Sequence, residues 1–304
     1  MKVQKFLLGA VVMTGCILPA YPQNVNTSLT PGSVQTMSAQ QVPSTDVYKR
    51  ETIIPEKKPV PYPYVREADV MWAKDIWRVI DLRQRMNFSL RYPLEGDMSG
   101  GERYSLFGLL MKGIETEEIT PYEFDPFIGW KDPFAKIATK SVIYENTGIR
   151  DSSDYITNEF GELEAKPKSE YIYQFQLQEQ WFFDKKHSTM NVRIVALAPV
   201  WYELYDETGQ LLPEPNRFIP FVVHFPQCRR LFATHAIYNP NNDAQPISFD
   251  DYFFQRRFAS TIFAESNVYG NRDLSSYKRG QDILLESERI KADLFNMEHD
   301  LWEY

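Results

Sequence analysis

Gln174-Phe175-Gln176-Leu177-Gln178-Glu179-Gln180-Trp181-Phe182, followed by Lys185-Lys186-His187-Ser188 and then Asn191-Val192-Arg193-Ile194-Val195-Ala196-Leu197-Ala198, is the stretch that decides the fold. The two outer runs are rich in aromatic and β-branched residues, and the segment between them is polar, as a hairpin loop should be. Trp201 to Tyr205 reads as a further strand, ended by Asp206-Glu207-Thr208-Gly209, and Phe218 to His224 as another. From about Tyr171 to Val223 the chain therefore reads as an antiparallel meander.

Helical patterns lie on both sides of it. From Glu67 to Met86, the residues Val70, Ala73, Ile76, Trp77 and Ile80 recur at i, i+3, i+4 spacing, which predicts a helix with Arg78, Arg83 and Arg85 on its other side. A second helix is expected from Arg103 to Lys112 and a short third around Pro133 to Lys140. After Pro226, Ser248 with Asp251 three positions on reads as a helix N-cap, the helix running to about Ile262. The Asp250-Asp251 pair suits that helix's N-terminus, where carboxylates offset the macrodipole. The segment from Asp282 to Trp302 is expected to be helical, with Ile283, Leu284, Ile290, Leu294 and Met297 as its apolar stripe. Helices, then strands, then helices again read as an α+β domain over residues 66–304.

Composition bounds the function. Formal net charge is -8, a balance that argues against a nucleic-acid partner, which would call for a basic stripe. Aromatics make up 14% of the chain, enough for a large core and also what protein interfaces favour. Trp72, Trp77 and Trp181 are assigned to the core. Cys16 and Cys228 form no CxxC pair, so Cys228 is expected to be a small buried hydrophobe.

The N-terminus has the three parts of an export signal over residues 1–20. Lys2 and Lys5 are positive, Phe6 to Met13 is apolar but too short to span a bilayer, and Gly15, Pro19 and Ala20 follow. Two processing routes are open: cleavage at Ala20, or lipidation at Cys16 through the imperfect lipobox Met13-Thr14-Gly15-Cys16. Residues 21–65 lack hydrophobic periodicity and are rich in Pro, Gln, Ser and Thr. Within them, Lys57-Lys58-Pro59-Val60-Pro61-Tyr62-Pro63-Tyr64 should be extended, because each Pro fixes its own φ and restrains its neighbour. That stretch reads either as a solvated linker or as a strap whose Tyr62 and Tyr64 dock on a partner.

Catalytic signatures are missing from the sequence. His187, His224, His235 and His299 fit no metal-ligand spacing, and there is no HExxH, GxSxG, Walker A or GxGxxG pattern. Asp151, Asp154, Glu159, Glu162 and Glu164 offer oxygen ligands but fit no EF-hand loop. The chain is read as a non-enzyme without cofactor or metal. A periplasmic enzyme with a scattered site and a stand-alone lipid-anchored binding protein are the rival readings.

Four segments in order carry a family resemblance. They are Tyr64-Val65-Arg66-Glu67-Ala68-Asp69-Val70-Met71-Trp72 through Trp77-Arg78 to Met86-Asn87; Trp181-Phe182-Phe183-Asp184-Lys185 with Arg193; Tyr238-Asn239-Pro240-Asn241-Asn242 through Arg256-Arg257-Phe258 to Tyr269-Gly270; and Leu285-Glu286-Ser287-Glu288-Arg289 with His299-Asp300-Leu301-Trp302. Together they resemble the gliding-motility protein N family, GldN and its relative PorN, of the type IX secretion system of Bacteroidetes. The resemblance implies a periplasmic subunit at the inner face of the outer membrane. It implies ring formation with a K-type outer-membrane lipoprotein and homo-oligomeric neighbours, and contact with the M-type motor protein. Candidate contact residues are Tyr62 and Tyr64 on the strap, Arg256 and Arg257 for a neighbour's acids, and Glu288, Arg289 and Lys291 on the exposed side of the final helix. In the family it is usually the K partner that carries the lipid, so the near-lipobox at Cys16 departs from the pattern.

Overall fold

Alternation along the Gln174–Phe182 run is realised as a long hairpin in the computed structural model, which describes residues 53–54, 56–94, 103–146, 155–157, 163–165, 169–205, 211–239, 242 and 245–302. These residues belong to one compact unit, Tyr48–Tyr304. In chain order the elements are β1 (Val70–Asp81), α1 (Phe88–Arg91), α2 (Leu106–Glu115), β2 (Pro121–Tyr122), α3 (Lys140–Asn146), β3 (Tyr155–Thr157), β4 (Leu163–Ala165), β5 (Ile172–Asp184), β6 (Thr189–Tyr205), β7 (Leu211–Phe218), β8 (Val222–His224), α4 (Phe225–Thr234), β9 (Ala236–Ile237), β10 (Ile247–Ser248), α5 (Phe249–Phe254), β11 (Thr261–Glu265) and α6 (Gln281–Trp302). The α+β class holds. Seven strands form one antiparallel sheet in the order β11-β1-β5-β6-β8-β2, with β7 pairing the far end of β6.

β5 and β6 pair from Ile172↔Trp201 to Asp184↔Thr189. Their loop is closed by Asp184, whose Oδ1 accepts from Lys186 N at 2.8 Å and whose Oδ2 bonds His187 Nδ1 at 2.6 Å. Trp201 to Tyr205 is the continuation of β6, not a separate strand.

The largest correction is at residues 67–86, where the helix pattern gives way to strand β1. Paired on both sides, by β11 and β5, β1 is a central strand. Ile76, Trp77 and Arg78 are consecutively buried, so apolar residues are wanted on both faces and the period of two is lost. Pro133 to Thr139 is turn and loop with a single bridge at Ile137, and the helix starts only at Lys140, as α3. The Ser248 cap is present, with Oγ accepting from Asp251 N at 3.2 Å, but α5 stops at Phe254. Arg256 takes φ 52°, which reverses the chain into β11.

Register places Trp72, Ile76, Arg78 and Ile80 of β1 on the same sheet face as Trp181, Glu179, Leu177 and Phe175 of β5. Two apolar clusters cover that face. One joins Ile80, Phe175 and Leu177 to α2, α4 and α5 through Leu110, Phe225, Phe232 and Phe253. Phe225, Phe232 and Phe253 meet at ring-centre distances of 5.4–5.9 Å, so many of the aromatics serve the core. The other joins Ile76 and Ile262 to Ile290 and Leu294 of α6, with Trp72 and Trp181 only partly buried against it. Ser287 Oγ accepts the buried Ile262 N–H at 2.9 Å and pins α6 to β11. Leu284, expected in the apolar stripe, is 56% exposed. The opposite sheet face carries Trp77, Gln176, Gln178, Ala196 and Ala198 and is covered by Phe124, Trp130 and Phe134. Cys228 is fully buried, and burial pushes its thiol far up, so it is inert.

Candidate interaction surfaces

The strap is laid on the body of the protein. Ile54 N donates to Thr234 O at 2.8 Å, and Ile53 bridges His235 at the end of α4. Lys57 Nζ pairs with Asp251 and reaches Ser248 Oγ at 3.1 Å. Extended Pro-rich backbone leaves its carbonyls unpaired, and arginines of the body take them. Arg229 Nη2 donates to Val60 O at 2.6 Å, and Arg193 Nη2 donates to Pro63 O.

Tyr62 sits at the centre of this arrangement. Its ring lies 4.0 Å from the Arg229 guanidinium carbon and 5.1 Å from that of Arg193, and it stacks on Phe254 with ring centres 6.3 Å apart. Burial raises the Tyr62 phenol above its ordinary value, against the opposing pull of Arg229. Arg229 in turn makes a two-pronged, buried pair with Asp250, Nε to Oδ1 at 2.8 Å and Nη2 to Oδ2 at 3.0 Å. Asp250 is therefore an α4–α5–strap clamp as well as a helix N-terminal acid. Tyr64, two residues on, is 88% exposed.

Arg256 finds its acid within the chain. Its Nη2 donates to Glu179 Oε1 at 2.8 Å, while Arg78 Nε donates to Glu179 Oε2 at 2.8 Å. Trp181 Nε1 adds a third bond to Glu179 Oε2 at 3.1 Å, and both guanidiniums lie over the Trp181 ring. Arg257 is exposed, donates to Gln255 Oε1 at 2.7 Å, and makes no ion pair among the described residues.

On α6, Ile283, Ser287, Ile290 and Leu294 face inward. The outward side carries Glu288 and Lys291, paired at 2.6 Å, and Arg289, held by Glu286 and Asp293. Leu284, Leu285 and Phe295 are exposed around them. Exposed pairs contribute about 0–1 kcal/mol each. The apolar side chains are the informative feature, and spacing alone missed them because the same residues equally suit a wider buried stripe.

Among the described residues no group of three or more His, Cys, Asp or Glu is placed to hold a metal ion. His187, His224 and His235 lie apart, on the hairpin loop, at the end of β8 and after α4. Of the acidic loop residues, Asp151, Asp154, Glu159 and Glu162 lie outside the described residues, as do the export signal and Cys16, and Glu164 belongs to β4. No described helix is long and apolar enough to cross a membrane.

No curated protein matches the chain. The family model "Gliding motility associated protein GldN" matches residues 65–303, from the end of the strap through α6. The chain belongs to the GldN family, structural components of gliding motility and type IX secretion.

Proposed function

We propose that the chain is a non-catalytic periplasmic subunit at the inner face of the outer membrane, forming a ring with a K-type lipoprotein and contacting an M-type motor protein. The observation that carries this reading is the outward side of α6. A helix fixed along one side by Ile290, Leu294 and the Ser287 bond presents Leu284, Leu285 and Phe295 to solvent. Exposed apolar side chains on a rigid helix are what a helix-to-groove contact uses.

A ring needs two unlike surfaces on each subunit, because head-to-tail contacts close only at a fixed rotation. Tyr64 on a strap held by Arg193 and Arg229 supplies a second exposed contact, fixed in place before binding. This subunit transmits or holds, and the driving energy comes from the motor. The export signal, with Ala20 or Cys16 as its processing point, supplies the route to the periplasm.

The test is an affinity pull-down from detergent-solubilised envelope, with mass spectrometry and negative-stain imaging of the eluate. Ring particles containing a K-type lipoprotein are expected. A clean monomer at native expression level would sink the assembly reading. Fatty-acid labelling of Cys16 in a monomer without partners would favour a stand-alone anchored binding protein.

A further inference from the structure

Two loop tips meet over the sheet face opposite α6. In the first, Asp125 Oδ1 accepts from Phe127 N at 2.8 Å and Asp125 O from Gly129 N at 2.8 Å. In the second, Asn267 Oδ1 accepts from Tyr269 N at 3.0 Å and Asn271 N at 3.1 Å, and Asn271 Oδ1 accepts from Asn267 N at 3.1 Å. Both tips are thus held by their own side chains. Between them lies a cavity of about 420 Å³ whose walls include Trp77, Phe124, Trp130, Lys131, Arg272 and Asp273.

Three properties of the cavity point to an occupant. Trp77 is 1% exposed, yet its Nε1 donor has no hydrogen-bond partner among the described residues. An unpartnered buried donor costs about 1–3 kcal/mol, which an acceptor brought by a ligand would recover. Lys131 and Arg272 make no ion pair among the described residues, and Asp273 offsets only one of them, so the walls carry one net positive charge in a chain of net charge -8. The Arg272 guanidinium is set between the Tyr269 and Tyr277 rings, 4.7 Å from each. Finally, the loop tips bring exposed apolar side chains to the rim: Phe127 is 99% exposed, Val268 93%, and Ile128 and Tyr269 are also exposed. A small molecule filling the cavity leaves that rim uncovered, whereas a peptide covers both.

We propose that this cavity is a docking site for a segment of a partner protein in which an apolar side chain stands beside a carboxylate. The apolar group packs against the Phe124 and Trp130 rings, which touch each other at 5.5 Å between centres, the carboxylate meets Lys131, Arg272 and the Trp77 donor, and flanking residues cover Phe127 and Val268. The site lies on the other sheet face from the α6 surface and does not depend on the ring reading.

The experiment uses the full chain labelled with 5-fluorotryptophan, followed by fluorine NMR, with the Trp77 signal assigned through Trp77→Phe. The probes are the capped tetrapeptides Ac-Phe-Asp-Phe-Glu-NH2 and Ac-Phe-Lys-Phe-Lys-NH2, and 3-phenylpropionate. The acidic peptide is expected to shift the Trp77 and Trp130 signals saturably, and the basic one to bind at least about tenfold more weakly. Lys131→Glu should lose about tenfold in affinity for the acidic peptide, and Phe127→Ser with Val268→Ser several-fold. All three positions are outside the core, so an unchanged melting temperature separates lost binding from lost folding. No saturable shift, or equal binding of the two peptides, overturns the proposal. Phenylpropionate binding as tightly as the peptide, indifferent to the rim variants, overturns it in favour of a small-molecule site. Self-association of the unlabelled chain that the same variants abolish overturns it in favour of a second copy.

Discussion

Arg78 and Glu179 join neighbouring strands through a 2.8 Å ion pair buried between the two apolar clusters of one sheet face. Glu179 is wholly buried and also receives Arg256 and Trp181, so one carboxylate serves two guanidiniums. Glu179→Gln leaves both arginines without a counter-charge. A loss of about 3–5 kcal/mol is expected in urea unfolding. The combined variant Arg78→Met with Glu179→Leu should lose less than the single change, because the buried Arg78 charge goes with its partner and only the part-exposed Arg256 is left without its acid. Equal losses would show that packing, not charge, dominates there.

Tyr62 and Tyr64 should separate cleanly. Tyr62→Ala removes the ring from Arg229 and Phe254, and a contact of this kind contributes about 0.5–2 kcal/mol. Faster hydrogen exchange at the Ile54 amide, which bonds Thr234 O, is the expected readout of a loosened strap. Tyr64→Ala should leave stability within about 0.5 kcal/mol of the parent, as an exposed change does. It is expected instead to weaken partner capture from the envelope. Full retention of capture would remove Tyr64 from the contact.

Strap docking should respond to acid. Burial raises the Asp251 carboxyl, but hydrogen bonds from Lys57 and Ser248 and the Lys57 charge outweigh it and hold the carboxyl below its ordinary value. A carboxyl depressed in the folded state stabilises fully above its unfolded value, and that contribution fades as pH falls through the folded one. The parent should therefore lose more melting temperature than Lys57→Met as pH drops below about 4. Parallel curves would mean that the pair does not couple to folding.

Gly113 in α2 tests how tightly α2 meets α4. A Cβ there would stand 2.5 Å from Ile119 Cδ1 and 2.7 Å from Leu231 Cδ2. Replacing Gly by Ala in a helix gains about 1 kcal/mol of propensity, whereas overpacking a core costs about 1–3 kcal/mol. Since both neighbours are buried, overpacking should win. Gly113→Ala is expected to lower stability by about 1 kcal/mol. A gain would show that the two side chains move aside.

Ser287→Ala removes the hydroxyl that accepts the buried Ile262 N–H and adds no bulk to the packed site. Leaving Ile262 N–H unsatisfied should cost about 1–3 kcal/mol and loosen α6 from β11. Because α6 carries the exposed Leu284, Leu285 and Phe295, partner capture should fall with it. Capture unchanged in a destabilised variant would move the contact surface away from α6.

Sequence alone determined whatever depends on near neighbours. The β5–β6 hairpin was legible because aromatic and β-branched runs flank a polar turn, and α6 because its inward residues recur along one side over about three turns. The Ser248 cap was legible because a cap is made within four residues. Tertiary structure decided the rest. β1 read as a helix because burial on both faces erases alternation, and only pairing with β5 and β11 makes it a strand. α5 ended early because Arg256 reverses the chain to reach Glu179, an acid far away in sequence. Tyr62 read as a residue that docks on a partner, whereas it docks on Arg229 and Arg193 of its own chain, which sequence could not show because nothing local links a Pro-rich strap to α4 and β6. The cavity at Trp77 was out of reach for the same reason: strand β1 and two distant loops make it, and only folding brings them together.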